Sequence, residues 1–154
     1  MQQAYVYTDG SCDNRTGVDG GYGVVIVYGD KVFKISGGKY CNTTSQRMEL
    51  MAVIAALKKL KELECMATIF IDTRYIVDSV NQKWLFRWEK DNFKDRKNSG
   101  MWKVFLELYR HFDDGDIILK WVKGHDGNEY NEMADRLAWR GAKKEGEFIV
   151  DEIG

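Results

Sequence analysis

Proline is absent from the 154 residues, so every turn has to be made by glycine, asparagine or aspartate. Cysteine is scarce. Cys12, Cys41 and Cys65 lie far apart and form no CxxC pair, which argues against a disulfide framework or a zinc site and fits a reducing cytosol. There is no long apolar h-region at the N-terminus and no apolar run approaching the length of a membrane span. Charge of one sign does not accumulate either: 23 Lys and Arg stand against 24 Asp and Glu, a formal net charge of -1. That excludes a global basic field, so any surface for nucleic acid has to be local.

What is present describes one globular domain. With 44% hydrophobic and 31% charged residues the chain is ordered rather than disordered, and its length suffices to bury a proper core. Residues 4–11 read as a first strand. Two more follow, Tyr22–Tyr28 and Lys31–Tyr40, joined at Gly29-Asp30 as a short hairpin. Leu50, Val53, Ile54, Leu57 and Leu60 recur at helical spacing within a helix from about Ser45 to Leu63. "ATIFID" reads as a buried strand, residues 74–81 and Trp84–Glu89 as helical, and a polar loop runs on through Gly100. A helix over 101–111, a fifth strand in "DIILKWV" and a helix over 128–143 complete the pattern. A hairpin-rich start followed by alternating helix and strand predicts an α/β fold, a mixed sheet with helices packed on it. Residues 144–154 are mostly polar; Phe148, Ile149 and Val150 either tuck against the body or fray.

Four carboxylates occupy costly places. Asp9 ends the strand "YVYTDGS", where it either hydrogen-bonds into a turn or waits for a cation. Glu49 shares a helix face with Val53, Ala56 and Leu60; it either sits at the edge of that stripe, near a helix start that favours negative charge, or is held inside. Asp72 ends the strand "TIFI", where it is either a helix N-cap or a ligand at the carboxyl end of a strand. Asp135, in "NEYNEMADRLAWRGA", is free to pair with Arg136, Arg140 or water. If the four converged, their repulsion would be relieved by protonation or by cations, and hard divalent ions suit such an oxygen set.

A fold that joins them is supplied by resemblance. "YTDGS", "TTSQRMELMAVIAAL", "FIDTRYIVDSV" and "KWVKGHDGNEYNEMADRLA" stand in the order and approximate spacing of type 1 ribonuclease H, over about residues 5–142, with "KWLFRW" between the third and fourth. The resemblance implies a ribonuclease H-like fold, a five-stranded mixed sheet flanked by helices, with residues 1–143 as the catalytic domain and 144–154 as a tail. It implies that Asp9, Glu49, Asp72 and Asp135 hold two Mg²⁺ ions, with Mn²⁺ able to substitute. The implied reaction is hydrolysis of the RNA strand of an RNA–DNA hybrid to 5′-phosphate and 3′-hydroxyl ends, by a cytoplasmic monomer with no membrane partner. His125 would be a loop residue that assists proton transfer or product release; His111 matches no motif.

For substrate binding the resemblance points to Cys12, Asn14, Ser45 and Gln46 facing the shallow groove where 2′-hydroxyls are read. Thr44 would grip a DNA-strand phosphate at a helix N-terminus, beside its ordinary use as an N-cap. Ser45 stands where the family usually has asparagine, and serine has the shorter reach. "NQKWLFRWEKDNFKDRKNSGMWK" resembles the family's basic protrusion, with Trp84, Trp88, Phe93 and Asn98 as candidate contacts. Trp84 and Trp88, at i and i+4, also suit packing, and Phe93 replaces the tryptophan of many relatives. From Lys83 to Lys97 six positive residues meet three negative ones, a local excess in a chain of net charge -1. Two other classes fit parts of this pattern: another nuclease or strand-transfer enzyme of the same fold, and a hybrid-binding module without catalysis. The motif order argues against the first and the complete acidic set against the second.

Overall fold

The computed structural model describes residues 2–124, 127–151 and 153. Strands β1 (Gln3–Asp13), β2 (Val18–Tyr28) and β3 (Lys31–Cys41) form an antiparallel meander whose second turn is at Gly29-Asp30, as expected. Helix α1 (Ser45–Leu63) follows, then β4 (Met66–Ile71), α2 (Arg74–Asn81), α3 (Trp84–Lys90), α4 (Ser99–Tyr109), β5 (Ile117–Trp121), α5 (Glu129–Ala142) and a two-residue β6 (Ile149–Val150). The strand order is β5-β4-β1-β2-β3-β6, with β4 parallel to both β1 and β5.

The sheet therefore has six strands rather than the five expected. The extra one comes from the tail, where Ile149 and Val150 pair with Tyr40 and Cys41 at the free edge of β3. Both side chains stay exposed, so the pairing rests on backbone bonds and leaves no hydrophobic pattern to read.

One main core lies between the sheet and α1, α2 and α4. Leu50, Val53, Ala56, Leu57 and Leu60 of α1 are buried there with Ile69, Ile71, Trp102 and Phe105. Helix α1 starts where the sequence places it, because the Thr44 hydroxyl accepts from the Arg47 amide. It stops at Glu64, which turns left-handed at φ 52°. A smaller core on the opposite face packs Val25 against Ala134 and Leu137 of α5. The sheet is thus clad on both sides. Among the described residues no helix is long and apolar enough to cross a membrane.

Candidate active site

The register of the sheet brings the first two carboxylates together. Parallel pairing of β1 with β4 ends at Tyr7 opposite Phe70, so continuing each strand by two residues sets Asp9 beside Asp72. Beyond its last pairs with β5, at Phe70–Lys120 and Ile71–Trp121, β4 parts from its neighbours and opens a cleft at its carboxyl end. Asp72 is not the cap of α2. Thr73 holds that position without a capping side-chain bond, and the Asp72 carbonyl accepts from the Trp121 indole at 3.1 Å.

Glu49 is brought in by a close approach of backbones. A Cβ at Gly10 would lie 2.3 Å from the Glu49 amide nitrogen, so only glycine lets α1 come down onto β1 at this point. The stripe that holds α1 in place, Val53, Ala56 and Leu60, is fully buried, while Glu49 is half-buried at its cleft end. The Thr73 hydroxyl donates to the Glu49 carboxylate.

Asp135 arrives from the other face. Asp9 and Gly23 are partners in the β1–β2 ladder, and a Cβ at Gly23 would stand 2.2 Å from the Ala134 carbonyl oxygen. Helix α5 accordingly rests on bare backbone beside Asp9, and Asp135 lines the same cleft as Asp9.

Oxygen atoms of Asp9, Glu49 and Asp72 all lie within 4.8 Å of one another. Their electrostatics follow from where they sit. Burial first, then a hydrogen bond that protonated Asp9 donates to Asp135 and the charge of Asp72, push the Asp9 carboxyl up to about 8, against a lowering contribution from the Gly10 amide that donates to it at 2.9 Å. Burial pushes Glu49 up to about 7; the Thr73 hydrogen bond opposes this and Asp72 reinforces it. No lysine or arginine forms an ion pair with Asp9 or Glu49 among the described residues. A cavity of about 20 Å³, lined by Thr8, Asp9, Asp72, Val122, Gly124, Asn131, Glu132 and Asp135, admits something the size of a water or an ion and no organic cofactor. Among the described residues the donors are carboxylate oxygens without thiols or imidazoles, a hard set that fits a divalent cation of the magnesium kind. His125 lies outside the described residues.

The residues expected to read substrate occupy two other places. Asn14 and Ser45 hold each other: the Asn14 amide donates to the Ser45 hydroxyl at 2.9 Å and its carbonyl accepts from the Ser45 backbone at 2.9 Å. The Cys12 thiol faces the carbonyls of Val18 and Thr43. Thr44 is exposed at the start of α1, with Gln46 half-buried beyond it. In the protrusion, Trp88 and Phe93 are packed inside rather than displayed. Trp88 meets Tyr75 and Trp102, and Arg96 lies over its ring at 4.7 Å. Trp84 is half-buried and, with Tyr75, Arg87, Trp88, Asp91, Lys94 and Arg96, lines a cavity of about 480 Å³. The Asn98 carbonyl accepts from Arg47 at 2.7 Å.

Sequence reasoning missed Arg47, Asp151 and Thr73. Thr73 was adjacent to a candidate ligand, and that adjacency was its only signal. An apolar groove of about 460 Å³, between the tail and α1 and α4, carries no cluster of chemically active groups and lies apart from the acids.

The family model described as RNase H matches residues 1–143. Ribonuclease HI of Helicobacter pylori is 41% identical over 144 residues, covering 94% of this chain and 96% of that one. Ribonuclease H of Syntrophomonas wolfei is 36% identical over 151 residues, 95% of this chain and all of that one. Among solved structures, LC9-RNase H1, a type 1 enzyme with the type 2 active-site motif, superposes with a TM-score of 0.74 at 26% identity, over 92% of this chain and 72% of the other. The foamy viral protease-reverse transcriptase, solved in complex with RNA/DNA hybrid, gives 0.68 at 23% identity and shares the fold over 92% of this chain and 20% of its own.

Proposed function

The chain belongs to the ribonuclease H family, and we propose that it is a divalent-metal-dependent endoribonuclease that hydrolyses the RNA strand of RNA–DNA hybrids, leaving 5′-phosphate and 3′-hydroxyl ends. The observation that carries this reading is the convergence of Asp9, Glu49 and Asp72 within 4.8 Å, from three separate elements, in a cleft with Asp135 at its wall. Isolated acids at a turn, a helix edge and a cap would have no reason to meet. These four residues would hold the ions, Mg²⁺ foremost with Mn²⁺ as substitute. When bound, two such ions lower the pKa of a water and offset charge at the phosphate and the leaving 3′-oxygen.

The chain's own groups prepare that site. The Gly10 amide and the Thr73 hydroxyl fix one oxygen each of Asp9 and Glu49, so the donors are oriented before substrate arrives. Asn14 and Ser45 are pre-aligned at the start of α1, and one of their mutual bonds can be exchanged for a ribose 2′-hydroxyl. Thr44 offers a helix N-terminus to a phosphate of the DNA strand, with Cys12 and Gln46 beside it. The protrusion contributes charge through Arg87, Lys94 and Arg96, while Trp84, Trp88, Phe93 and Asn98 shape it. His125 moves a proton or speeds release of product. Residues 1–143 carry the activity as a monomer, and the three free thiols suit a reducing compartment.

The test is a cleavage panel of labelled hybrid, duplex RNA, duplex DNA and single-stranded RNA with Mg²⁺, repeated with EDTA. Cutting confined to the RNA strand of the hybrid and abolished by EDTA is the expected result. Binding of hybrid without metal-dependent cutting would turn the chain into a recognition module.

A further inference from the structure

Trp139 is the most exposed large apolar side chain of the described residues, at 61%, on a helix whose Ala134, Leu137, Ala138 and Ala142 are buried and whose Tyr130 and Met133 are partly so. No ring contact, cation–π contact or hydrogen bond of its side chain occurs among the described residues. It follows Asp135 by four positions, so the two share a face of α5 about 6 Å apart along its axis. A cavity of about 300 Å³ opens on this face, lined by Asp135, Arg136, Trp139 and Arg140. The indole also borders a second cavity of about 250 Å³, lined by Ser11, Cys12, Asp13, Asp19, Ala142 and Lys143. The ring thus stands as a partition in one furrow that begins at a catalytic acid.

We propose that this furrow is a subsite for the RNA strand just beyond the scissile phosphate, with the Trp139 indole against a nucleotide and Arg136 and Arg140 on its phosphates. The proposal rests on the reading of the acidic cleft as the hydrolytic centre. Continuity, charge and the chemistry on either side of the ring point to RNA as the occupant. Continuity comes first: Asp135 lines both the acidic cleft and the furrow, and the strand that is cut must leave the cleft on one side or the other. Charge comes second. Neither arginine forms an ion pair among the described residues, and guanidinium is the side chain best matched to phosphate. The third is the change of chemistry across the ring, from guanidinium groups to carboxylate acceptors. Beyond it Asp13 and Asp19 are each held by a cation, Arg15 at 3.3 Å and Lys143 at 3.2 Å, and their carboxylate oxygens can accept a hydrogen bond from a ribose hydroxyl, which only RNA offers. An exposed tryptophan flanked by cations is also the composition that holds nucleic acid through stacking and charge together.

The test reads binding rather than turnover, in the non-cleaving Asp9→Asn background, by fluorescence anisotropy on a hybrid and on a DNA duplex of the same sequence. Adding Trp139→Ala should weaken hybrid binding about fivefold or more and DNA-duplex binding less. Trp139→Phe should restore most of the loss. Arg136→Ala with Arg140→Ala should flatten the slope of log Kd against log salt by about two. Melting curves should be superimposable, since the ring is outside the core. An unchanged hybrid Kd, or an equal loss on both duplexes, would overturn the subsite. Failure of the wild-type chain to cut hybrid with Mg²⁺ would instead sink the hydrolase reading, and the anisotropy series would still decide whether the furrow holds RNA.

Discussion

Arg47 and Asp151, 104 residues apart in sequence, are joined by two parallel hydrogen bonds, Nε to Oδ2 at 2.7 Å and Nη2 to Oδ1 at 2.9 Å. The Asp151 side chain is fully buried and takes a further bond from the Thr43 hydroxyl at 2.7 Å, while Arg47 also reaches Asn98. The pair ties the tail to the start of α1 and to the start of α4. Removing one partner strands the other charge, so Asp151→Ala should cost about 3–5 kcal/mol in urea unfolding. A loss well under 1 kcal/mol would mean that the tail is not fastened through this carboxylate.

The pH dependence of stability should have two arms. Burial alone would raise Asp151, but hydrogen bonds from Arg47 and Thr43 and the Arg47 charge outweigh it and hold the carboxyl below its ordinary value. Its contribution is therefore complete above the unfolded value and lost as pH falls through the folded one. Asp9 and Glu49 act in the opposite sense. Their folded values, about 8 and about 7, lie above the ordinary 3.8 and 4.5, so without metal the native state holds protons that the unfolded chain has released. Stability of the EDTA-treated protein should fall as pH rises from about 4 to about 8. Asp9→Asn should flatten that arm, melt higher at pH 8 and lose hydrolysis to background.

Loading the site should release protons. At pH 7 the Asp9 carboxyl, at about 8, is mostly protonated, and a divalent ion requires it charged. Titration calorimetry with Mg²⁺ in two buffers of different ionisation heat should report about one to two protons released at pH 7, from Asp9 and from Glu49 at about 7, and almost none above pH 9. A heat independent of buffer at pH 7 would place the ion elsewhere.

Gly10→Ala should injure hydrolysis more than folding. The new methyl would stand 2.3 Å from the Glu49 nitrogen and 2.6 Å from the Met48 carbonyl carbon, so α1 must lift. Overpacking of this kind costs about 1–3 kcal/mol. Displacing Glu49 from its partners breaks the ligand set, and activity should drop well beyond the loss of folded protein. Parallel circular dichroism and cleavage assays separate the two.

Hybrid binding should weaken steeply with salt. Lys94 and Arg96 are exposed at the protrusion cavity, and replacing both by alanine should reduce the slope of log Kd against log salt by about two. A slope equal to that of the wild type would remove the protrusion from the binding surface.

Much of this was legible in the sequence, and the reason is locality. The bounds of α1 follow from Thr44 and the spacing of its leucines, and the hairpin at Gly29-Asp30 was written in two residues. Glu49 announced itself as a charge on an apolar stripe. Asp72 did not, because a strand end before a helix suits a cap equally well; only the structure gives the cap position to Thr73. The Arg47–Asp151 bond left no trace, since neither residue breaks a local pattern. Trp139 was hidden for the converse reason: an aromatic in an amphipathic helix reads as core until the packing shows which way it faces.

The glycines of β2 bear on how the enzyme yields to heat. Beside the small core around Val25, Gly21 and Gly23 bring β2 backbone directly against α5, and added methyls there would stand 2.3 Å and 2.2 Å from the helix backbone. At these two points the contact is backbone on backbone, with no side chain that can change rotamer and loosen it gradually. Warming should hold Asp135 in place until the helix lifts off as one piece, so activity ought to end abruptly at that temperature rather than fade toward it.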